Sequence, residues 1–241
     1  MSSDDDIRAF LARARRAGTA NAAAVVSLDE LGVHRGLAQP AHEPQFRLDQ
    51  LAGRLVEFSA VGASATVTAA VGLVLEAQEL GDPVAWITRH AFAFYPPDLA
   101  DSGVDLDALV VVRIPQMKSS TNCGSRAGDP EVIAGIGAVE RLLRSGAFAL
   151  VVFDVGSDAE VPVSALGRLV KLAQRHDTAV VLLTEKPERN ASMGSLVSLR
   201  AEALRKYKNG VYELEIRALK DKRRGPGWLH RERVKPPAGL K

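Results

Sequence analysis

Continuous apolar runs alternate with amphipathic helical patterns from about residue 48 onward, and this alternation limits the possible folds more than any other feature. The runs ALVVFDV (149–155) and TAVVLLTE (178–185) have no regular polar face, which is typical of strands buried on both sides of a sheet. Between them, VSALGRLVKLAQRH (163–176) repeats apolar residues at helical spacing. The alternation predicts βαβ units, and therefore an α/β fold with a mostly parallel sheet flanked by helices.

The last part of this region follows a different pattern. Residues 211–219, VYELEIRAL, alternate apolar and polar side chains, which predicts an antiparallel strand or hairpin at the C-terminal end of the sheet. Residues 194–205 are interpreted as one more helix. The other predicted elements are strands over 54–58, 84–88 and 109–114 and helices over 66–80 and 130–145.

Both ends of the chain differ in composition from this core. Residues 1–47 contain a short amphipathic pattern, whose apolar face over 7–14 is expected to pack on the main domain or on a partner chain, followed by an extended linker. Residues 221–241 are basic and contain Pro and Gly. The predicted organisation is an N-terminal helix and linker (1–47), a core (48–220) and a basic C-terminal tail (221–241).

Composition excludes several classes of protein. The net charge of +2 does not mark the chain as a whole as a nucleic-acid binder. A single cysteine, Cys123, cannot form a disulfide within the chain, which fits a reducing compartment. His34 and His42 are isolated, so no metal site is predicted. No apolar signal region or membrane span is evident, so we expect a cytoplasmic protein with no membrane partner, and association with the nucleoid is an open alternative.

Several phrases of the core occur in the order in which the RecA family has them. The resemblance covers about residues 48 to 225 and implies a RecA-like core with a P-loop-like fold. GRLVEF (53–58) resembles the strand that enters the phosphate-binding loop, and ALVVFDVGS (149–157) resembles the Walker B strand, with Asp154 as its acid. Three further segments are similar to RecA phrases: GVDLDALVVVRIP (103–115), the sensor strand AVVLLTEKP (179–187), and the basic segment ALKDKR (218–223).

The loop that would bind nucleotide phosphates lacks the residues that this chemistry needs. A working loop reads G-x-x-x-x-G-K-[ST], in which backbone N–H groups cradle phosphates, Lys neutralises them and the hydroxyl holds Mg²⁺. In AVGASATV (60–67) these four positions are Ala60, Ala65, Thr66 and Val67, while Gly62 is the only glycine. Without the Lys and the Mg²⁺ ligand, most of the electrostatic stabilisation of phosphoryl transfer is lost. We therefore expect a pseudo-ATPase that uses neither a nucleotide cofactor nor a metal.

The catalytic carboxylate that the resemblance places after the second strand is also missing. That region, WITRHAFAF (86–94), offers Arg89 and His90 instead of an acid. Asp154 is retained, and we expect it to form hydrogen bonds within the domain rather than to bind a metal. Glu185 lies near the sensor position.

Among RecA relatives, the chain most resembles the ImuA family, the accessory proteins of a bacterial mutagenesis cassette in the SOS response to DNA damage. The resemblance implies a non-catalytic protein that supports error-prone translesion synthesis. Its partners would be a Y-family-polymerase-like protein of the ImuB type and a replicative-type polymerase. One alternative is a recombination mediator, a RecA paralogue that binds single-stranded DNA or RecA. Another is an ATPase in which Ser64 and Thr66 replace the missing loop residues.

The basic tail is a candidate contact surface for DNA or for a protein partner. Clustered Lys and Arg neutralise phosphates, and an exposed tryptophan stacks on bases or anchors a protein interface. A solvated tail without a partner is the third interpretation. Self-association through the N-terminal helix is a separate hypothesis. The candidate contact residues are Lys220, Lys222, Arg223, Arg224, Trp228, Arg231 and Arg233.

Overall fold

An eight-stranded sheet organises the part of the chain that the computed structural model describes, which comprises residues 46–89, 94–117, 129–157, 160–208 and 211–234. Two cores cover its faces. In order along the chain, the elements are a 3-10 helix (Leu48–Leu51), β1 (Leu55–Ser59), α1 (Thr66–Glu79), β2 (Val84–Thr88), α2 (Pro96–Asp101), β3 (Leu109–Arg113), α3 (Pro130–Ser145), β4 (Leu150–Gly156), α4 (Val163–His176), β5 (Ala179–Thr184), β6 (Leu199–Lys208), β7 (Val211–Asp221) and β8 (Leu229–Val234).

The strands lie in the order β3-β2-β4-β5-β1-β6-β7-β8. All neighbouring pairs from β3 to β6 are parallel, whereas β7 is antiparallel to β6 and to β8. The predicted α/β class, the mostly parallel sheet and the antiparallel C-terminal hairpin are confirmed.

Alternate residues of the central strands bury on opposite faces of the sheet, as strand geometry requires. Val56, Phe58 and Trp86 pack with the 3-10 helix, α1 and α2 on one face. Leu55 and Phe153 pack with α3 and α4 on the other face. Neither side of the central strands faces solvent, which is why the sequence shows them as continuous apolar runs.

Helix α3 shows how local sequence fixes the bounds of an element. The Asp129 side chain accepts a hydrogen bond from Glu131 N at 2.9 Å at the start of the helix, and Pro130 occupies its first turn. The helix ends at Gly146, which has a φ of 67°. Gly135 lies directly against the Phe153 ring, so a Cβ at this position would overlap the ring.

One predicted element is wrong: residues 194–205 do not form a helix, because β6 occupies Leu199–Lys208. The sequence LRAEALRK contains good helix formers, but the segment pairs with β1 on one side and with β7 on the other. Its alternate residues Leu199, Ala201 and Ala203 are buried in the core. Tertiary pairing thus overrides the local helix propensity.

Some sequence predictions lie outside the described residues. These are the N-terminal helix and linker up to residue 45, His34, His42, His90 and Cys123. The segment assigned to the basic tail, 221–241, begins with the last residue of β7 and contributes β8 (Leu229–Val234) to the sheet. No helix in the described ranges is long and apolar enough to cross a membrane.

Candidate functional site

Residues 60–65 connect the carboxyl end of β1 to α1, the kind of position at which α/β proteins bind ligands. Ala60 is fully buried, and its N–H donates to the Thr184 carbonyl of β5 at 3.3 Å. Gly62 adopts a φ of 76°, which glycine allows without strain. Ala65 precedes α1 and provides no side-chain cap. The strand, turn and helix that the sequence predicts here are therefore present.

The backbone of this loop is bonded to β6. Ala65 N donates to Ala203 O at 3.0 Å, and Arg205 N donates to Ala63 O at 2.9 Å. Ser64 forms an antiparallel bridge with Leu204. The N–H of Ala65 already has a carbonyl acceptor, so it does not contribute to a cradle of free donors for phosphates.

The two positions that would carry the Lys and the Mg²⁺ ligand are occupied by side chains that face the protein. Thr66 is buried, and its hydroxyl lies 3.2 Å from the Ser64 hydroxyl. Val67 packs against the apolar core on the α1 face. Neither side chain carries a positive charge, and that of Val67 has no oxygen to bind a metal.

Asp154, which the RecA resemblance places at the Walker B position, is buried near the end of β4 and lies opposite Thr88 of β2 in the parallel register. The pairing of β4 with β5 shifts register between Asp154 and Gly156. Within the described ranges, no group of three or more His, Cys, Asp or Glu side chains could hold a metal ion.

Arg89 follows β2, where the RecA resemblance places a catalytic carboxylate. Its guanidinium donates to Val155 O at 2.6 Å and forms ion pairs with Asp129 and Glu131 in the first turn of α3. Glu131 also accepts a hydrogen bond from Met117 N at 3.0 Å. A neutralised arginine, rather than a free base, thus stands at this edge of the sheet.

A buried carboxylate of β1 contacts the segment that follows β5. Glu57 is fully buried. It accepts hydrogen bonds from Thr184 Oγ1 at 3.1 Å and from Met193 N at 2.8 Å, and it forms an ion pair with Lys186. The charge of Lys186 is therefore used inside the domain.

A buried arginine of β6 also forms hydrogen bonds with this segment. Arg200 Nε donates to Ser59 Oγ at 3.0 Å, and Nη2 donates to Pro187 O at 2.9 Å. Its third contact is the carbonyl of Asn190. Together with Glu57, it fixes the segment that follows β5.

An open groove of about 650 Å³ lies at the carboxyl ends of β4 and β5. The carboxylates of Glu160 and Glu185 line it, and Lys186, its one lysine, is paired with Glu57. Excess negative charge makes this groove a poor site for phosphates.

Lys220 and Trp228, two of the predicted contact residues, are partly buried in the fold. Lys220 Nζ donates to Ser192 Oγ and to Gly194 O, each at 3.2 Å, and burial lowers the pKa of this lysine below its ordinary value. The Trp228 ring is half-buried and stacks on Phe46 with centroids 6.5 Å apart. It is thus not exposed for stacking on a base.

A buried ion pair anchors the turn between β7 and β8. The Asp221 carboxylate accepts from Arg54 Nη2 at 2.6 Å, from Arg223 N at 2.8 Å and from Trp228 Nε1 at 3.0 Å. Burial by itself raises the pKa of Asp221, but these three hydrogen bonds outweigh burial and hold its pKa below the ordinary value. Burial also lowers the pKa of Arg54, while its hydrogen bond and ion pair with Asp221 act in the opposite direction.

The remaining candidates are exposed but do not form one patch. Lys222, Arg223 and Arg224 follow β7, whereas Arg233 of β8 lies opposite Glu213. Eight residues of β7 separate these two places, which corresponds to about 27 Å at 3.4 Å per residue. Arg231 Nε donates to Glu215 at 3.0 Å. The structure thus divides the basic cluster seen in the sequence.

Sequence reasoning missed two features. The buried charges of Glu57 and Arg200 sit inside apolar strands, and no sequence pattern identifies their partners. The long β6–β7 hairpin had a signal, because Asn209-Gly210 between alternating segments is typical of a hairpin turn. Its end carries two tyrosines, Tyr207 and Tyr212.

Comparison of the chain with protein-family models and with curated proteins found no match.

Proposed function

We propose that this chain is a RecA-like accessory protein without ATPase activity, which supports error-prone translesion synthesis by binding a polymerase-like partner. The observation that carries the non-catalytic part is the loop 60–67. Its Ala65 N–H is bonded to Ala203 O, and no residue of the loop supplies a positive charge.

The architecture supports the RecA-like part of this proposal. Three of the segments that resemble RecA phrases fall on β1, β4 and β5, which are neighbours in the centre of the sheet. An α/β sheet with a parallel centre and an antiparallel C-terminal hairpin is compatible with a RecA-like core. The sequence resemblance is the basis for proposing the ImuB-type partner, the replicative-type polymerase and the damage response.

The edge of the sheet supports a non-catalytic role as well. Arg89 stands in the place of the catalytic carboxylate and is neutralised by Asp129 and Glu131. An arginine in this setting cannot take a proton from an attacking water. A protein with this site acts through binding.

The first test measures ATP binding and turnover by the purified chain, with and without single-stranded DNA. A Thr66→Lys, Val67→Thr variant is measured beside it. We expect no binding and no turnover in the parent chain. We also expect the variant to stay inactive, because its loop backbone remains bonded to β6. DNA-stimulated turnover in the parent that Asp154→Asn abolishes would refute the proposal.

The second test is a pull-down with a polymerase-like protein of the ImuB type and with RecA, each offered separately. The accessory role predicts capture of the polymerase-like protein. Capture of RecA alone would contradict that role and support a recombination mediator.

A further inference from the structure

The β6–β7 hairpin extends beyond the rest of the parallel sheet. β1 pairs with β6 as far as Ser59 opposite Glu202, and the loop after β1 adds one bridge at Leu204. Arg205 N still donates to Ala63 O of that loop at 2.9 Å, and from Lys206 to Lys208 β7 is the only partner of β6 among the described residues. We call residues 205–208 and 211–213 the hairpin end.

Two tyrosines form a cross-strand pair at the hairpin end. Tyr207 and Tyr212 lie directly opposite each other, with ring centroids 4.9 Å apart and an angle of 48° between the planes. The Arg205 guanidinium lies 5.6 Å from the Tyr212 ring centroid, on the same face. These contacts hold Tyr207 in place from one side.

The other side of Tyr207 is open, because 67% of this residue is exposed. A rigid aromatic ring with a free face and a positive charge next to it is the arrangement that stacks on unpaired bases.

Charge around the hairpin end favours a polyanion. By sequence, the hairpin end has Arg205, Lys206 and Lys208 against one carboxylate, that of Glu213. Arg205 lies on the same face as Tyr207, whereas Lys206 lies on the opposite face, in a row with Glu213 and with Arg233 of β8. The nearby carboxylate of Glu215 is already paired with Lys206 and Arg231. Arg205 has no ion pair among the described residues, so it is available to a phosphate.

We propose that the hairpin end binds single-stranded nucleic acid, with a base stacked on Tyr207 and a phosphate on Arg205. This goes beyond the proposed function, which requires only a protein partner. It also places the nucleic-acid contact away from the Lys222–Arg224 turn.

The test is fluorescence anisotropy of the full chain with a labelled oligothymidylate of about 15 nucleotides, close to the upper site size of known single-strand binders. Because stacking on one aromatic ring contributes about 1–3 kcal/mol, Tyr207→Ala should weaken binding by about 5- to 150-fold. Tyr207→Phe keeps the ring and should stay close to the parent. Arg205→Ala should reduce the slope of log K against log salt by about 0.7.

Matched controls remove an exposed tyrosine and an exposed arginine elsewhere. Tyr95→Ala, at a residue 56% exposed, and Arg144→Ala on α3 should leave binding unchanged. Lys222→Ala tests the rival basic turn. The proposal is overturned if the chain shows no micromolar binding at about 50 mM salt, or if Lys222→Ala weakens binding and Tyr207→Ala does not. It is also overturned if Tyr207→Ala abolishes capture of a protein partner but leaves oligonucleotide binding intact. None of these results depends on ATP turnover.

Discussion

Replacing Asp221 by Asn should be among the most destabilising single changes in the described part of the chain. The side chain of Asp221 is fully buried and faces Arg54, whose side chain is 4% exposed. Arg223 N donates to Oδ1 and Trp228 Nε1 donates to Oδ2, so the single oxygen of Asn keeps an acceptor for only one of them, and the negative charge is removed. The guanidinium of Arg54 is then left buried without a counter-charge.

The expected loss follows from that burial. Breaking a buried ion pair by removing one partner costs about 3–5 kcal/mol, a large part of the 5–15 kcal/mol that holds a typical domain together. For a domain of about 200 residues, this corresponds to a fall in melting temperature of about 6–20 °C. Replacing both partners, as Arg54→Met with Asp221→Asn, should cost less than the two single changes together, because no charge is left buried.

The effect should depend on pH. The folded protein holds the pKa of Asp221 below its ordinary value, so the ionised carboxylate stabilises the fold above the pKa of the unfolded chain. That stabilisation is lost as the pH falls through the folded pKa. The difference in unfolding free energy between the parent and Asp221→Asn should therefore shrink below about pH 4.

Urea denaturation at neutral and at acid pH measures both effects. The control is Glu140→Gln, which removes the carboxylate shared by the exposed side chains of Arg144 and Arg168. This surface change should cost less than about 1 kcal/mol. If Asp221→Asn cost no more than Glu140→Gln, the buried pair would not stabilise the turn as argued.

Two further changes test the packing of the core and of the candidate site. Gly135→Ala should lower the free energy of unfolding by about 1–3 kcal/mol, because the added Cβ overlaps the Phe153 ring. Gly137→Ala on the same helix meets open space and should raise the free energy of unfolding by about 0.5–1 kcal/mol. Equal effects of the two changes in a denaturation series would contradict this packing. Glu57→Gln should make the segment after β5 more sensitive to trypsin under native conditions, because its ion pair and charged acceptor are lost. Glu188→Gln, an exposed partner in the same segment, should leave the cleavage rate unchanged, and equal rates in both variants would count against the role of Glu57.

The sequence predicted the elements whose burial is uniform. Strands β2, β4 and β5 are buried along nearly their whole length and contain few polar residues, and helices α3 and α4 have both an apolar face and clear end signals. Their bounds were therefore predicted within a residue or two. β6 was misassigned because its residues favour a helix locally and become a strand only between β1 and β7.

The same distinction applies to the candidate site: its residue types can be read from the sequence, but their contacts cannot. That residues 60–67 contain no lysine and no arginine follows from the sequence, since it concerns which functional groups are present. The bond from Ala65 N to Ala203 O joins residues far apart in the chain, so only the tertiary structure shows that the loop backbone is occupied.

By itself, the sequence determined the α/β class, the parallel centre of the sheet and the lack of a lysine or arginine in residues 60–67, because periodicity and residue type are local properties. The tertiary structure determined which charged side chains are bonded within the fold and which are exposed. It used Lys220, Lys186 and Arg54 inside the fold, separated the basic residues of the tail, and left Tyr207 and Arg205 exposed at the hairpin end. The physical reason is that the environment of a charge or a ring depends on neighbours that strand pairing brings together from distant parts of the chain.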